Sequence, residues 1–213
     1  FDPARAPLLR FTLYRNGSGV AHLILTAHHL LLDGWSMPLL MKDLLVAYAA
    51  DDALPPARPY RDYLRWLADY DRDAARTAWR AALAGLTPTR LAEFHSAPDF
   101  PDAGHQTYAA DLTVEQTGRL VEFAAAHEIT VNTAVQAAWG LVLASCAGRT
   151  DVAFGAVVSG RPPQLDGVDE IVGLFANTVA VRVAGTAEDT VGALLTRLQR
   201  EQVALLAHHH IGL

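Results

Sequence analysis

Leu9, Phe11 and Leu13 alternate with Arg10, Thr12 and Tyr14 near the head of the chain. A period of two marks a half-buried strand, because successive side chains leave on opposite faces. "NGSG" (16–19) follows, with the residue types that accept the positive φ angles of a hairpin turn. The run "VAHLILTA" (20–27) returns as a second strand, apolar on both faces, which predicts an interior position. A hairpin therefore leads directly into "HHLLLDGWS" (28–36), two adjacent histidines followed by an aspartate and a glycine.

Beyond it the periodicity turns helical. Ser36 is a predicted cap and Pro38 suits a first turn. Met37, Leu40, Met41, Leu44, Leu45 and Tyr48 then recur at helical spacing. "DDALPPARP" (51–59) reads as a loop, and helical stretches follow at about 60–69 and 72–84, ended by Gly85. From 86 to 105 the periodicity disappears, and Pro88, Pro98, Pro101 and Gly104 mark an internal boundary. "QTYAADL" (106–112) is a predicted strand, and Thr113 with Gln116 makes a capping box. A helix at about 131–146 is apolar nearly all round, which predicts burial. "VAFGAVV" (152–158) and "TVAVRV" (178–183) read as interior strands, and a helix from about 190 to 207 follows. Strands alternating with helices on either side of a linker predict an α/β chain in two lobes.

Of the 213 residues, 51% are hydrophobic and 19% charged, enough for a real core. The net charge of -6 argues against a nucleic-acid partner, which needs a basic face. Cys146 stands alone, so an internal disulfide and a cysteine-rich zinc site are excluded. No basic start with an apolar core marks a signal peptide, and no apolar run approaches the roughly 18 residues that span a bilayer. A cytoplasmic setting with no membrane contact is expected. The chain enters a strand almost at once and stops directly after a helix, so it is expected to be a segment of something larger.

Histidine titrates nearest neutrality, so His28 or His29 can hold or accept a substrate proton. Asp33 can fix the following turn by pairing with an arginine, and Gly34 permits backbone conformations that other residues avoid. Two core histidines beside an ordinary Asp-Gly turn would have the same spacing. The residues by themselves leave both readings open. If the strand continued through them, only one histidine would face a given cavity.

"HHLLLDGWS" resembles the HHxxxDG motif of condensation domains from nonribosomal peptide synthetases, in the chloramphenicol acetyltransferase-like superfamily. The likeness continues in order along the chain. "YRDYLRW" (60–66) is similar to the family's YxDYAxW segment, "GAVVSGRP" (155–162) and "VGLFANTVAVR" (172–182) to its later signatures, and "HHHIGL" (208–213) to the segment after them. The resemblance implies an α/β fold of two acetyltransferase-like lobes in a V, with mixed sheets covered by helices. This chain would hold the second half of the N-terminal lobe (1–87), a linker (88–105) and the first part of the C-terminal lobe (106–213). It implies peptide-bond formation: the amine of an acceptor aminoacyl thioester attacks a donor thioester. Both substrates ride on phosphopantetheine arms of donor and acceptor peptidyl carrier domains, next to an adenylation domain. The domain itself would bind no cofactor and no metal.

Residue by residue, His29 matches the histidine that positions or deprotonates the amine and helps stabilise the tetrahedral intermediate. His28 matches the first histidine, a structural one, and Asp33 and Gly34 hold the loop. Trp35, Ser159 and Asn177 would line the substrate tunnel. Asp33 is expected to pair with Arg161 through both carboxylate oxygens, with Arg10 and Arg182 as the other candidates. An epimerisation domain shares the fold and motif but carries Thr-Ser where this chain has Ala176-Asn177-Thr178. A free-standing coenzyme A acyltransferase and a catalytically silent docking module are the other competitors. Heterocyclisation domains carry Asp in place of the first histidine.

The remaining features read as structural. His208, His209 and His210 point about 100° apart on a helix and would not converge on one ion. His22 is expected in the core or at a sheet edge. Trp66, Trp79 and Trp139 are expected to pack. Neither Ser159 nor Cys146 has a base nearby, and "VSGRP" lacks the G-x-S-x-G elbow of a serine nucleophile.

Overall fold

The alternating apolar residues at the head of the chain form an antiparallel hairpin of β1 (Leu9–Arg15) and β2 (Ala21–Ala27). Phe11 faces Leu25 and Leu13 faces Leu23 across it. The turn is closed by Asn16, whose carboxamide oxygen accepts the Ser18 and Val20 N–H groups at 3.2 and 3.1 Å. Gly19 supplies the positive φ of 84°. The computed structural model describes residues 1–49, 54–90, 107–186 and 188–211.

Among the described residues, five helices and a second sheet follow the helix that succeeds the hairpin. α1 is Ser36–Ala49, α2 Arg61–Ala68, α3 Arg72–Ala82, α4 Val114–Ala126 and α5 Val131–Ala147. β3 (Asp151–Val158) pairs with β4 (Asn177–Ala184), and α6 (Val191–Leu205) ends in a 3-10 turn, Leu206–His208. The cap chemistry is local. Thr113 and Gln116 form the reciprocal capping box of α4, and Thr130 and Thr190 accept the Thr133 and Ala193 N–H groups to open α5 and α6. Gly148, at a φ of 61°, closes α5.

Two compact units emerge: Phe1–Arg72 with Val157–Asn177, and Asp73–Ala156 with Thr178–Ile211. This grouping departs from a cut between 87 and 106. Residues 91–105 of the expected linker lie outside the described residues. Pro88 and Thr89 do not run free, because Arg149 donates to the Thr87 and Pro88 carbonyls and Ala153 N–H to the Thr89 hydroxyl. Segment 157–177, expected in the second lobe, groups with the first unit because it holds the partners of Asp33.

The second unit packs α4, α5 and α6 against β3 and β4 around Ala124, Ala137, Leu143, Val152, Val181 and Leu195. Arg182, in β4, grips Asp151 with Nε and Nη2, each at 2.8 Å, and its Nη1 reaches the carbonyls of Ala82 and Ala84. In the first unit, Tyr63, Val168, Ile171 and Phe175 form a smaller core, with Tyr60 and Trp66 against it.

Three expectations are corrected. β2 is not interior: among the described residues it pairs only with β1, and Leu23 and Ile24 are half exposed. A run apolar on both faces signals a need for cover without supplying it. α5 is not buried all round. Only the stripe Thr133, Ala137, Gly140 and Leu143 is buried, while Val135, Trp139 and Val142 face outward. The strand expected at 106–112 does not form over its described part, 107–112, which is neither strand nor helix. Of the other tryptophans, Trp66 stacks on Tyr63 and the Trp79 indole donates to the His208 carbonyl at 3.0 Å. His22 is exposed, across the hairpin from Tyr14.

Gly140 lets α5 close onto β4: a Cβ there would stand 2.6 Å from Val183 Cβ and nearer still to its Cγ2. Helix propensity alone favours Gly140→Ala by about 1 kcal/mol. Overpacking against a stiff β-branched side chain costs about 1–3 kcal/mol. A net loss of stability is therefore expected, read as a lower urea midpoint, and a gain would show that α5 and β4 are not in contact at this point.

Candidate active site

β2 ends at Ala27, so both histidines lie in the turn after it, where strand alternation no longer applies. The backbone separates them instead. His28 N–H donates to the Leu8 carbonyl at 2.9 Å, and its half-buried ring accepts the Leu30 N–H on Nδ1 at 3.1 Å. An accepting Nδ1 places the proton of the neutral ring on Nε2. His29 is exposed, and its ring has no hydrogen-bond partner among the described residues. The turn thus spends one imidazole on local structure and presents the other.

The loop is anchored at its far end by Asp33, whose carboxylate is only 3% exposed. Oδ1 accepts the Ser36 N–H at 2.9 Å and the Ser36 hydroxyl at 2.8 Å. Oδ2 accepts the Phe175 and Ala176 N–H groups at 3.0 and 3.1 Å. The Asp33 N–H donates to the Gly173 carbonyl at 3.2 Å. Burial alone would raise the Asp33 carboxyl, but these donors, led by Phe175, hold it below its ordinary value of 3.8.

Arg161, with a side chain also 3% exposed, stands 3.7 Å from Oδ1 through Nη2. The expected two-pronged grip does not form. Nη2 donates instead to the Ser36 hydroxyl at 3.2 Å, and Nη1 serves the carbonyls of Val168 and Ile171. The guanidinium lies 4.0 Å over the Phe175 ring, and Nε has no acceptor among the described residues. Burial lowers the Arg161 pKa and Asp33 opposes that shift. Both partners belong to the first unit. The other two candidates are engaged elsewhere: Arg182 with Asp151, and Arg10 over the Phe1 ring at 4.9 Å.

The partner segment is itself clamped. Tyr60 donates to the Leu174 carbonyl, and its ring covers Gly173, where a Cβ would collide with it. Gly160, at a φ of 64°, passes so close to the Phe175 carbonyl that a side chain has no room. Tyr60 and Tyr63 both pack on Phe175, at 5.2 and 4.5 Å between centroids. Burial pushes both phenols up, so they remain donors at neutral pH.

Gly34 does not fill the role expected of it. Its φ lies outside the left-handed region and a Cβ there would meet nothing within 4 Å. The turn is set by the hydrogen bonds of Asp33 and Ser36, which any residue at 34 would allow. Trp35 is 59% exposed. Ser159 is exposed and its hydroxyl accepts the Arg161 N–H at 3.4 Å, and Asn177 is half-buried at the start of β4. Ser36, wholly buried, was expected only as a cap. It is instead the first residue of α1, and the Asp33 carboxylate accepts its N–H. The D-x-x-S spacing of a side chain bonding its own following turn was the available signal. Among the described residues no three histidine, cysteine, aspartate or glutamate side chains gather as a metal site.

A condensation-domain family model matches residues 1–213. A linear gramicidin synthase of Brevibacillus parabrevis is 42% identical over 210 residues, covering 95% of this chain and 4% of that protein. Chondramide synthase cmdD of Chondromyces crocatus is 38% identical over 216 residues, covering 98% of the chain and 5% of that protein. A crystal structure described as CT superposes with a TM-score of 0.70 at 26% identity, over 97% of this chain and 45% of that one. The first condensation domain of the CDA synthetase shares the fold, with a TM-score of 0.66 at 21% identity, over 96% of this chain and 47% of that one. The chain thus spans under half of these solved chains and a small part of the curated relatives.

Asp33 binds its proton less readily folded than unfolded. Its contribution to stability is therefore complete above the unfolded value of 3.8 and is lost as pH falls through that value toward the folded one. Asp33→Asn should remove about 3 kcal/mol at neutral pH, since it leaves buried donors and Arg161 without their charge. It should also flatten the loss of stability between about pH 5 and pH 3. Urea titrations of both proteins across that range check this, and matching curves would show that the carboxylate is not an anchor. Held by such a carboxylate, the HHxxxDG loop and the full-length match agree: the chain belongs to the condensation-domain family of nonribosomal peptide synthetases.

Proposed function

We propose that this chain is the part of a condensation domain that carries its catalytic loop, and that the parent protein joins two carrier-bound acyl groups through an amide bond. The observation that supports this most is the contrast within the motif: His29 exposed, next to an aspartate that is fully hydrogen-bonded and turned away from solvent. A buried carboxylate with four donors is a poor proton acceptor. An exposed imidazole is a good one.

In this reading His29 accepts a proton from the acceptor amine as its nitrogen attacks the donor thioester carbonyl. A tetrahedral intermediate forms, the carbon–sulfur bond breaks, and the thiolate of the donor's phosphopantetheine arm leaves and is protonated. The products are an amide on the acceptor arm and a free donor thiol. His28 holds the turn, and Asp33 with Arg161 holds the loop. Trp35, Ser159 and Asn177 face the substrates. Donor and acceptor peptidyl carrier domains and an adjacent adenylation domain are the partners, and the phosphopantetheine belongs to the carriers. The lone Cys146 favours a cytoplasmic setting. No single described helix is long and apolar enough to cross a membrane.

In the full-length parent with both carriers loaded, His29→Ala should lower the rate of amide formation by about 10² to 10⁴ and leave circular dichroism unchanged. Single-turnover transfer between radiolabelled carriers measures it. Turnover near that of the wild type would remove His29 from the reaction.

A further inference from the structure

We infer that Ser36 is a positioning residue for His29, because its hydroxyl closes the gap between Asp33 and Arg161 that the ion pair leaves open. The inference rests on the reading of His29 given above. Four polar atoms surround the Ser36 oxygen: Asp33 Oδ1 at 2.8 Å, the Gly173 carbonyl at 2.7 Å, the Gly173 N–H at 3.0 Å and Arg161 Nη2 at 3.2 Å. A serine hydroxyl has one proton and two lone pairs. The Gly173 N–H and Arg161 fill the lone pairs, and the one proton goes to the Asp33 carboxylate, the charged and stronger acceptor, with the Gly173 carbonyl close beside it. Every hydrogen-bonding position of the side chain is in use, at a residue with 0% exposure.

The alternative route is direct contact between Arg161 and Asp33, and at 3.7 Å it is too long for a hydrogen bond. The hydroxyl therefore carries the connection between the motif loop, the arginine after β3 and the segment before β4. Without it, the Gly173 N–H and one Arg161 N–H lose their acceptor in a site closed to water. Either Arg161 closes onto Asp33 or the 173–176 segment withdraws. Both moves displace Asp33, and only Leu30, Leu31 and Leu32 separate Asp33 from His29. A misplacement of about 1 Å can cost 10²-fold in rate without touching the substrate.

The test uses the full-length parent protein with loaded carriers. Ser36→Ala should lower kcat about 10²-fold and leave KM for the acceptor carrier unchanged. Ser36→Thr, which keeps the hydroxyl, should restore most of the rate. If Ser36→Ala does not fold, Ser36→Cys, with nearly the same shape but a weak acceptor, replaces it with the same expected readings. A wild-type kcat in the folded variant with only a lowered Tm would overturn the inference, as would failure of both Ala and Cys variants to fold. His29→Ala, run in parallel, separates the two ideas. If it keeps wild-type turnover, the reading of His29 fails. If it is inactive while Ser36→Ala is fully active, only the role of Ser36 falls.

Discussion

A carboxylate removed from water has to be matched by donors, and Asp33 takes them from its own turn and from a strand approach more than 130 residues later. That requirement organises the first unit. It ends the motif loop, starts α1 and draws segment 157–177 onto the hairpin's side of the chain. The glycines of this segment follow from the same closeness: Gly173 lies under the Tyr60 ring and Gly160 against a backbone carbonyl. The "YRDYLRW" signature has a physical meaning here, as the aromatic cover of the loop that binds Asp33.

Division of labour in the motif follows from the same constraint. Charge that is buried and fully bonded fixes geometry well and exchanges protons poorly. Under the proposed function, His29, the group left exposed, is the one that meets a substrate. In that reading the buried carboxylate is a rigid mount, which orientation-dependent acyl transfer requires.

Much of this was legible in the sequence because its signals are local. Alternation gave the hairpin, Thr113 with Gln116 gave a cap that forms as read, and the motif pointed to an aspartate in need of an arginine. What was not legible depends on contacts far along the chain. The apolar run of β2 does not disclose whether a neighbour covers it, and the strand-like composition of 107–112 does not disclose that no strand forms there. The grouping of 157–177 with the first unit came from tertiary hydrogen bonds that no window of sequence contains. Ser36 was read as a cap because serine before a helix usually is one, and its tertiary partners outweighed that preference. Gly34 shows the reverse case, a motif glycine whose own conformation asks for no glycine.

Amide hydrogen exchange at Phe175 and Ala176 tests the central claim most directly, since both N–H groups end on Asp33 Oδ2. If the buried carboxylate anchors the loop, these two amides exchange slowly and at a common rate, together with the Ser36 N–H, because one opening frees all three. Fast, unrelated exchange at Phe175 and Ala176 in the intact protein would contradict it, and the motif loop would then have no fixed mount.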